Sequence, residues 1–184
     1  MNSAQRTTVT SVVLLAVHVA AVALAIEPPN TMKPLASAKA ARAGNANAEL
    51  VLGTWRCLTT NMQEGIQIRM EGSQDYSRDG SAIGQTVMAM KAGNAEFSYA
   101  VTSFGTWKMR KNDICETIGR TKMVPNNAAA ASPKGKELQA LFEAGFEKLR
   151  QKATPSCSRI LKLDAKQFSS QSIDDNTLIS NCSR

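Results

Sequence analysis

Residues 66–101, IQIRMEGSQDYSRDGSAIGQTVMAMKAGNAEFSYAV, decide the fold class because they contain three strand-like segments separated by two short turns. Apolar residues recur at every second position in the first and last segments, namely Ile66, Ile68, Met70, Phe97, Tyr99 and Val101. This is the period of a strand with one buried face. Asp79-Gly80 predicts the first turn, since glycine readily takes the positive φ that hairpins need, and residues 92–94 predict the second. The stretch therefore predicts consecutive antiparallel strands.

Strand patterns continue on both sides of this stretch. Residues 50–57 predict a first strand, and a turn at 111–113 separates two further strands that extend to about Val124. Three short strands are predicted near the end of the chain, at 160–163, 168–171 and 177–182. The sequence therefore predicts a mainly β domain over residues 49–184, an antiparallel meander that closes into a small barrel.

The segment 133–152 has a helical period and predicts one amphipathic α-helix inserted before the last three strands. Ser132 followed by Pro133 is typical of a helix start. Apolar residues form a single stripe, namely Leu138, Leu141, Phe142, Phe146 and Leu149. We expect this stripe to pack on the barrel, either on an outer face or across an open end. The alternative is an exposed stripe that binds a partner or a membrane surface.

Residues 1–25 have the three parts of a secretory signal peptide. A polar start with one cation, Arg6, precedes an apolar run from Val9, which ends in the small-x-small site Ala23-Leu24-Ala25. An uncleaved membrane anchor is the alternative, although the apolar run is short for a membrane span. Residues 26–48 are rich in Ala and Pro and predict a flexible linker. We therefore expect an exported protein, either periplasmic or extracellular.

The mature chain would contain no histidine, because the single histidine, His18, lies in the predicted signal peptide. This excludes Ser-His-Asp and Cys-His catalysis and most zinc sites. Carboxylates near the hairpin turns, such as Asp75 and Asp79, are interpreted as solvated turn residues and not as a catalytic pair. We expect no catalytic residue, no metal site and no cofactor, and therefore no enzymatic activity.

Basic residues are spread along the chain, and cleavage would lower the formal net charge from +7 to +6 by removing Arg6. The densest cluster, Lys108-Met109-Arg110-Lys111, lies beside Asp113 and Glu116. It fits either a patch for nucleic acid or anionic lipid, or a solvated hairpin turn. We expect the solvated turn, with no nucleic-acid partner and no stable membrane insertion.

Three short regions within residues 50–184 carry a family resemblance. They are Leu52-Gly53-Thr54-Trp55, the hairpin 76–81 with the later Gly105-Thr106-Trp107, and the closing segments 160–163 and 177–184. Together they resemble the lipocalin-like, or calycin-type, small secreted β-barrels. The resemblance implies that Trp55 closes one end of the core and that Arg184 packs across its ring. One departure is the predicted helix, which precedes the last three strands, whereas the lipocalin helix follows the barrel strands.

The four cysteines, all within the predicted domain, indicate two disulfides in an exported chain. Four cysteines allow three connectivities, and their spacing does not choose among them. Because the first and last strands of a barrel are neighbours, we expect Cys57 to pair with Cys182. Cys115 and Cys157 would then close the base of the helical excursion.

The candidate binding residues are apolar positions that either line a ligand pocket or form the plain core of the barrel. They are Ile66, Ile68, Met70, Phe97, Tyr99, Val101, Phe142 and Phe146. We expect an exported, non-catalytic binding module, with a small apolar molecule as the first class of ligand. The alternative is a protein-interaction module, such as a hydrolase inhibitor or a partner in an envelope complex.

Overall fold

The computed structural model describes residues 46–63, 66–175 and 178–184. The predicted signal peptide, 1–25, and most of the predicted linker lie outside these ranges. The first three residues of helix α1, Ala46–Val51, fall within the predicted linker, 26–48. Val51 of α1 is fully buried and packs in the core, and this contact holds the helix against the barrel.

Eight antiparallel strands form a closed barrel in which each strand pairs with the next and the last pairs with the first. The strands are β1 Gly53–Gln63, β2 Ile66–Tyr76, β3 Ser81–Ala92, β4 Ala95–Arg110, β5 Asp113–Pro125, β6 Ser156–Leu163, β7 Gln167–Ser172 and β8 Ile179–Ser183. The predicted mainly β barrel is confirmed. Its first strand begins at Gly53, and residues 50–51 belong to α1 instead of the strand.

The connection between β5 and β6 contains two helices, α2 Ala128–Ala131 and α3 Pro133–Lys152. Ser132 begins α3 as predicted, because its side chain accepts a hydrogen bond from the Gly135 N–H at 3.2 Å. Gly135 is needed for close packing of the two helices, since a Cβ there would lie 2.2 Å from the Ala130 carbonyl oxygen. The short helix α2 was not predicted from its alanine-rich sequence.

Helix α3 packs beside the part of β5 that β6 leaves uncovered. Strand β6 pairs with β5 only over Asp113–Glu116, so residues 117–125 continue beyond it. Gln139 on α3 donates to the Met123 carbonyl of this segment at 3.0 Å. Covering a strand edge in this way prevents it from pairing with another chain.

Two disulfides lie at the two strand pairings that no hairpin connects. Cys57–Cys182 joins β1 to β8, and Cys115–Cys157 joins β5 to β6, in each case between residues directly opposite each other. These are the pairs expected from the sequence. Cys57 shares the buried face of β1 with Trp55 and Thr59, whereas Cys115 lies on the opposite face of β5 from Ile114 and Glu116.

The apolar stripe of α3 is narrower than predicted. Phe142 and Phe146 are only 2% and 4% exposed and belong to the core, while Leu138 and Leu149 are partly buried. Leu141 is 42% exposed, so its predicted burial is wrong. Adjacent helical residues project about 100° apart, which carries Leu141 off the face that Phe142 presents to the barrel.

Candidate functional site

The candidate binding residues lie together in the interior of the barrel, where they form its core. Seven of the eight are buried, namely Ile68, Met70, Phe97, Tyr99, Val101, Phe142 and Phe146, and Ile66 is partly buried against them. Trp55, Met88 and Thr86 are fully buried among the same strands. These side chains therefore occupy the part of the interior that a ligand pocket lined by the candidate residues would need.

One end of the barrel is closed by Trp55. The guanidinium carbon of Arg184 lies 3.9 Å from the centroid of the Trp55 ring, which is the contact that the family resemblance implies. Trp55 Nε1 donates to the Val51 carbonyl of α1 at 2.7 Å, and Phe168 packs edge-on at 5.7 Å. These contacts satisfy the one polar atom of the indole and stabilise the closed end.

The other closing element is α3, which packs on the core through Phe142 and Phe146. Tyr99, fully buried inside β4, donates its hydroxyl to the Gly135 carbonyl of α3 at 2.7 Å. A cleft of about 60 Å³ lies between α3 and β5, lined by Ile118, Thr121, Glu143, Phe146, Glu147 and Arg150. That volume corresponds to about two water molecules and is well below that of a typical ligand pocket.

A polar cluster crosses the interior between β2 and β5. Tyr76 donates its hydroxyl to Glu116 Oε1 at 2.6 Å, and Gln74 Nε2 donates to the same oxygen at 3.3 Å. Trp107 packs against Tyr76 with ring centroids 5.3 Å apart, and its Nε1 donates to the Ser77 carbonyl at 2.8 Å. Glu116 is a partly buried carboxyl whose hydrogen-bond donors, Tyr76 and Gln74, both belong to the barrel.

Burial raises the pKa of Glu116 to about 7, and the hydrogen bond from Tyr76 partly opposes this rise. Burial, followed by the charge of Glu116, raises the pKa of Tyr76 well above its ordinary value. Glu116 was predicted to lie on a strand just after the 111–113 turn, and its inward position was not predicted. Its position between Ile114 and Ile118 was the available signal, because strand alternation places all three on one face.

The outer surface of β3, β4 and β5 carries a second candidate site, which we call the basic face. It is defined by Ile83, Phe104, Lys108, Arg110, Arg120 and Lys122. Ile83 and Phe104 are directly opposite each other on neighbouring strands, and each is 37% exposed. The guanidinium carbon of Arg120 lies 4.9 Å from the Phe104 ring centroid. An apolar pair therefore lies beside exposed cations.

Three of the four cations of the basic face, Lys108, Arg120 and Lys122, have no acidic residue directly opposite on the neighbouring strand. The fourth, Arg110, lies opposite Asp113, which forms its salt bridge with Arg159. Within the part of the chain that the structure describes, five salt bridges are formed, and none includes Lys108, Arg110, Arg120 or Lys122. The outward positions of β3 over 83–91, of β4 over 98–110 and of β5 over 117–124 include no Asp or Glu. Among the described residues, no salt bridge neutralises Lys108, Arg120 or Lys122.

The fold and its sites define a closed, disulfide-linked antiparallel barrel with a filled interior, an architecture compatible with that of lipocalin-like proteins. No protein-family model matches the chain, and no curated protein matches its sequence. Among the described helices, none has the length and apolar character needed to span a membrane. The two disulfides are consistent with an oxidising compartment.

Proposed function

We propose that this protein is an exported, non-catalytic module of lipocalin-like type that binds a protein partner through its outer surface. The observation that carries the proposal is the occupied interior. Trp55, Tyr99 and Met70 are fully buried within it, and Phe142 and Phe146 cover it from α3. A small-molecule ligand inside the barrel would have to displace these side chains, whereas a protein partner would contact only the outer surface.

The arrangement of the disulfides supports the same function. Each one links strands that are distant in sequence, with a sequence separation of 125 for Cys57–Cys182 and of 42 for Cys115–Cys157. Such links hold the surface in one conformation, which reduces the entropy lost when a partner binds. An inhibitor of a hydrolase or a partner in an envelope complex would benefit from this rigidity.

Site-specific photo-crosslinking in the native cell tests the proposal. A photoreactive amino acid is placed at one position on each face, at Thr102 in β4, Gln67 in β2, Ser169 in β7 or Lys148 in α3. We expect one discrete protein adduct, formed from one face only. Failure of all four positions to give an adduct, together with saturable binding of an apolar fluorescent probe by the purified protein, would contradict the proposal.

A small apolar ligand beneath α3 is the second candidate function. Two observations favour it: the methionine-rich core, with Met70, Met88, Met90 and Met123 all buried, and the cleft beside Phe146. Methionine side chains adapt readily to a guest molecule. The same probe titration distinguishes the two functions, because interior binding predicts one probe per barrel and loss of binding when Phe146 is replaced by Trp.

A further inference from the structure

We propose that the basic face docks a protein whose surface combines carboxylates with an exposed apolar residue. This inference rests on the proposed function and assigns the binding surface and the chemistry of the partner. The observation behind it is the juxtaposition of the Ile83–Phe104 pair with four cations that form none of the salt bridges between described residues.

The charge pattern selects an acidic partner. Several basic residues elsewhere form salt bridges with carboxylates, as in Arg69–Glu71, Arg78–Glu49 and Arg159–Asp113. On the basic face, Lys122 and Arg120 follow each other at alternate positions of β5, and Lys108 and Arg110 do so on β4. Unneutralised cations on one face attract an acidic surface and repel a basic one.

The Ile83–Phe104 pair favours an acidic protein over other polyanions as the partner. Phe104 and Ile83 are held side by side on long, hydrogen-bonded strands, which provides a rigid apolar contact at the centre of the cations. An aromatic side chain with a neighbouring Arg is a common energetic centre of protein interfaces. Stacking of nucleic-acid bases would need a free aromatic face, but Arg120 already lies over the Phe104 ring.

Residues of the basic face can be replaced without disturbing the core, because the strands direct them outward. Ile83, Phe104, Arg120 and Lys122 all point away from the interior, so their replacement leaves the buried residues in place. Lys134 and Lys136 on α3 are also exposed and provide a matched control for charge reversal. Leu161 on β6, which is 52% exposed, provides a matched control for Phe104.

The test is a titration of the full chain, with both disulfides intact, against synthetic peptides of equal length. A peptide of alternating Glu and Leu is compared with one of alternating Glu and Ser and one of alternating Lys and Leu. We expect the Glu-Leu peptide to bind, the Glu-Ser peptide to bind more weakly, and the Lys-Leu peptide not to bind. Added salt should weaken binding without abolishing it.

Variants assign the binding to the basic face. Arg120→Glu combined with Lys122→Glu should weaken Glu-Leu binding by about tenfold or more, and Phe104→Ser should weaken it by about the same factor. Lys134→Glu combined with Lys136→Glu, and Leu161→Ser, should leave it unchanged. Melting temperatures near that of the wild type show that each variant is folded.

Three results would overturn the inference. One is equal loss of binding in the matched controls, and another is Glu-Leu binding no stronger than Lys-Leu binding. The third is tighter binding of duplex DNA or of phosphatidylglycerol vesicles, lost in the same basic-face variants, which would assign the surface to a different class of partner. A crosslinked partner at Gln67, Ser169 or Lys148 would contradict this surface while leaving the proposed function intact.

Discussion

Polar groups in the interior of the barrel and on the basic face differ in whether they have bonding partners within the protein. Inside, Glu116 accepts hydrogen bonds from Tyr76 and Gln74, and the hydroxyls of Thr59 and Ser180 are 2.7 Å apart. Outside, Arg120 and Lys122 form none of the salt bridges found among the described residues. Buried polar groups must find partners within the fold, whereas water satisfies exposed ones. The hydroxyls of Thr86 and Thr121 are exceptions, because they are buried without a hydrogen-bond partner among the described residues. The partnered polar groups inside serve stability, and those outside remain available for binding.

The largest expected effect comes from the inward-facing disulfide. Replacing both Cys57 and Cys182 by Ala should lower the free energy of unfolding by about 5 kcal/mol, because it releases a long loop. Replacing Cys115 and Cys157, which close a shorter loop on the other face of the sheet, should lower it by about 4 kcal/mol. Urea unfolding of the two variants measures the difference. A larger loss for the Cys115–Cys157 variant would contradict this ranking.

The next largest effect on the free energy of unfolding is expected from the narrow apolar stripe of α3. Phe142→Ala should lower the free energy of unfolding by about 3–5 kcal/mol, because it opens a cavity in the core. Leu141→Ala, one residue earlier on the exposed side, should change it by less than about 0.5 kcal/mol. Thermal and urea unfolding of the pair test this directly. Similar losses in both variants would show that α3 buries a broad face.

The raised pKa of Glu116 predicts a pH dependence of stability. Burial raises this pKa from 4.5 to about 7, so the folded protein binds the proton more tightly than the unfolded chain does. Stability should therefore fall as the pH rises from about 4.5 to 7, by at most roughly 3 kcal/mol. Glu116→Gln keeps an acceptor for the Tyr76 hydroxyl and removes the ionisable group.

Urea unfolding across this pH range checks the prediction. The Glu116→Gln variant should lose the decrease and should be more stable than the wild type above pH 7. Glu71→Gln, at an exposed position on β2, should leave the pH profile unchanged. A wild-type profile that is flat, or that rises through this window, would show that Glu116 is ionised in the folded protein at low pH.

The smallest expected effect on stability lies on the basic face. Phe104→Ser should lower the free energy of unfolding by less than about 1 kcal/mol, since the ring is partly exposed and loses one cation–π contact. Phe97→Ser, at a buried position on the same strand, should lower it by more than about 3 kcal/mol. Thermal unfolding of both variants compares the outer face with the interior. Equal losses would contradict the distinction between them.

Local patterns predicted much of this fold. The hairpin at Asp79-Gly80 and the start of α3 at Ser132-Pro133 follow from backbone preferences that depend on a few neighbouring residues. The pairing of Cys57 with Cys182 follows from closure of the barrel. Each of these features needs only one local rule or one topological rule, and the structure contains them where the sequence placed them.

Features that depend on several strands at once were harder to predict. Strand alternation places Glu116 on the inward face, but no local pattern reveals that Gln74 and Tyr76 reach it from across the barrel. The basic face joins Ile83 to Phe104 and Arg120 only through the register of three strands, which a β-bulge beside Phe104 shifts. The basic cluster at 108–111 was visible in the sequence, but its continuation to Arg120 was not.

The most direct test of an occupied interior and a binding outer face is a nuclear magnetic resonance titration of the full chain with the Glu-Leu peptide. Backbone amides report on the basic face, and the methyl groups of the buried methionines, Met70, Met88, Met90 and Met123, report on the interior. We predict shifts centred on Phe104 and Arg120, with the four methyl signals unchanged. Shifts of the methionine methyls with an unperturbed basic face would show that the ligand enters the barrel, and would contradict this account.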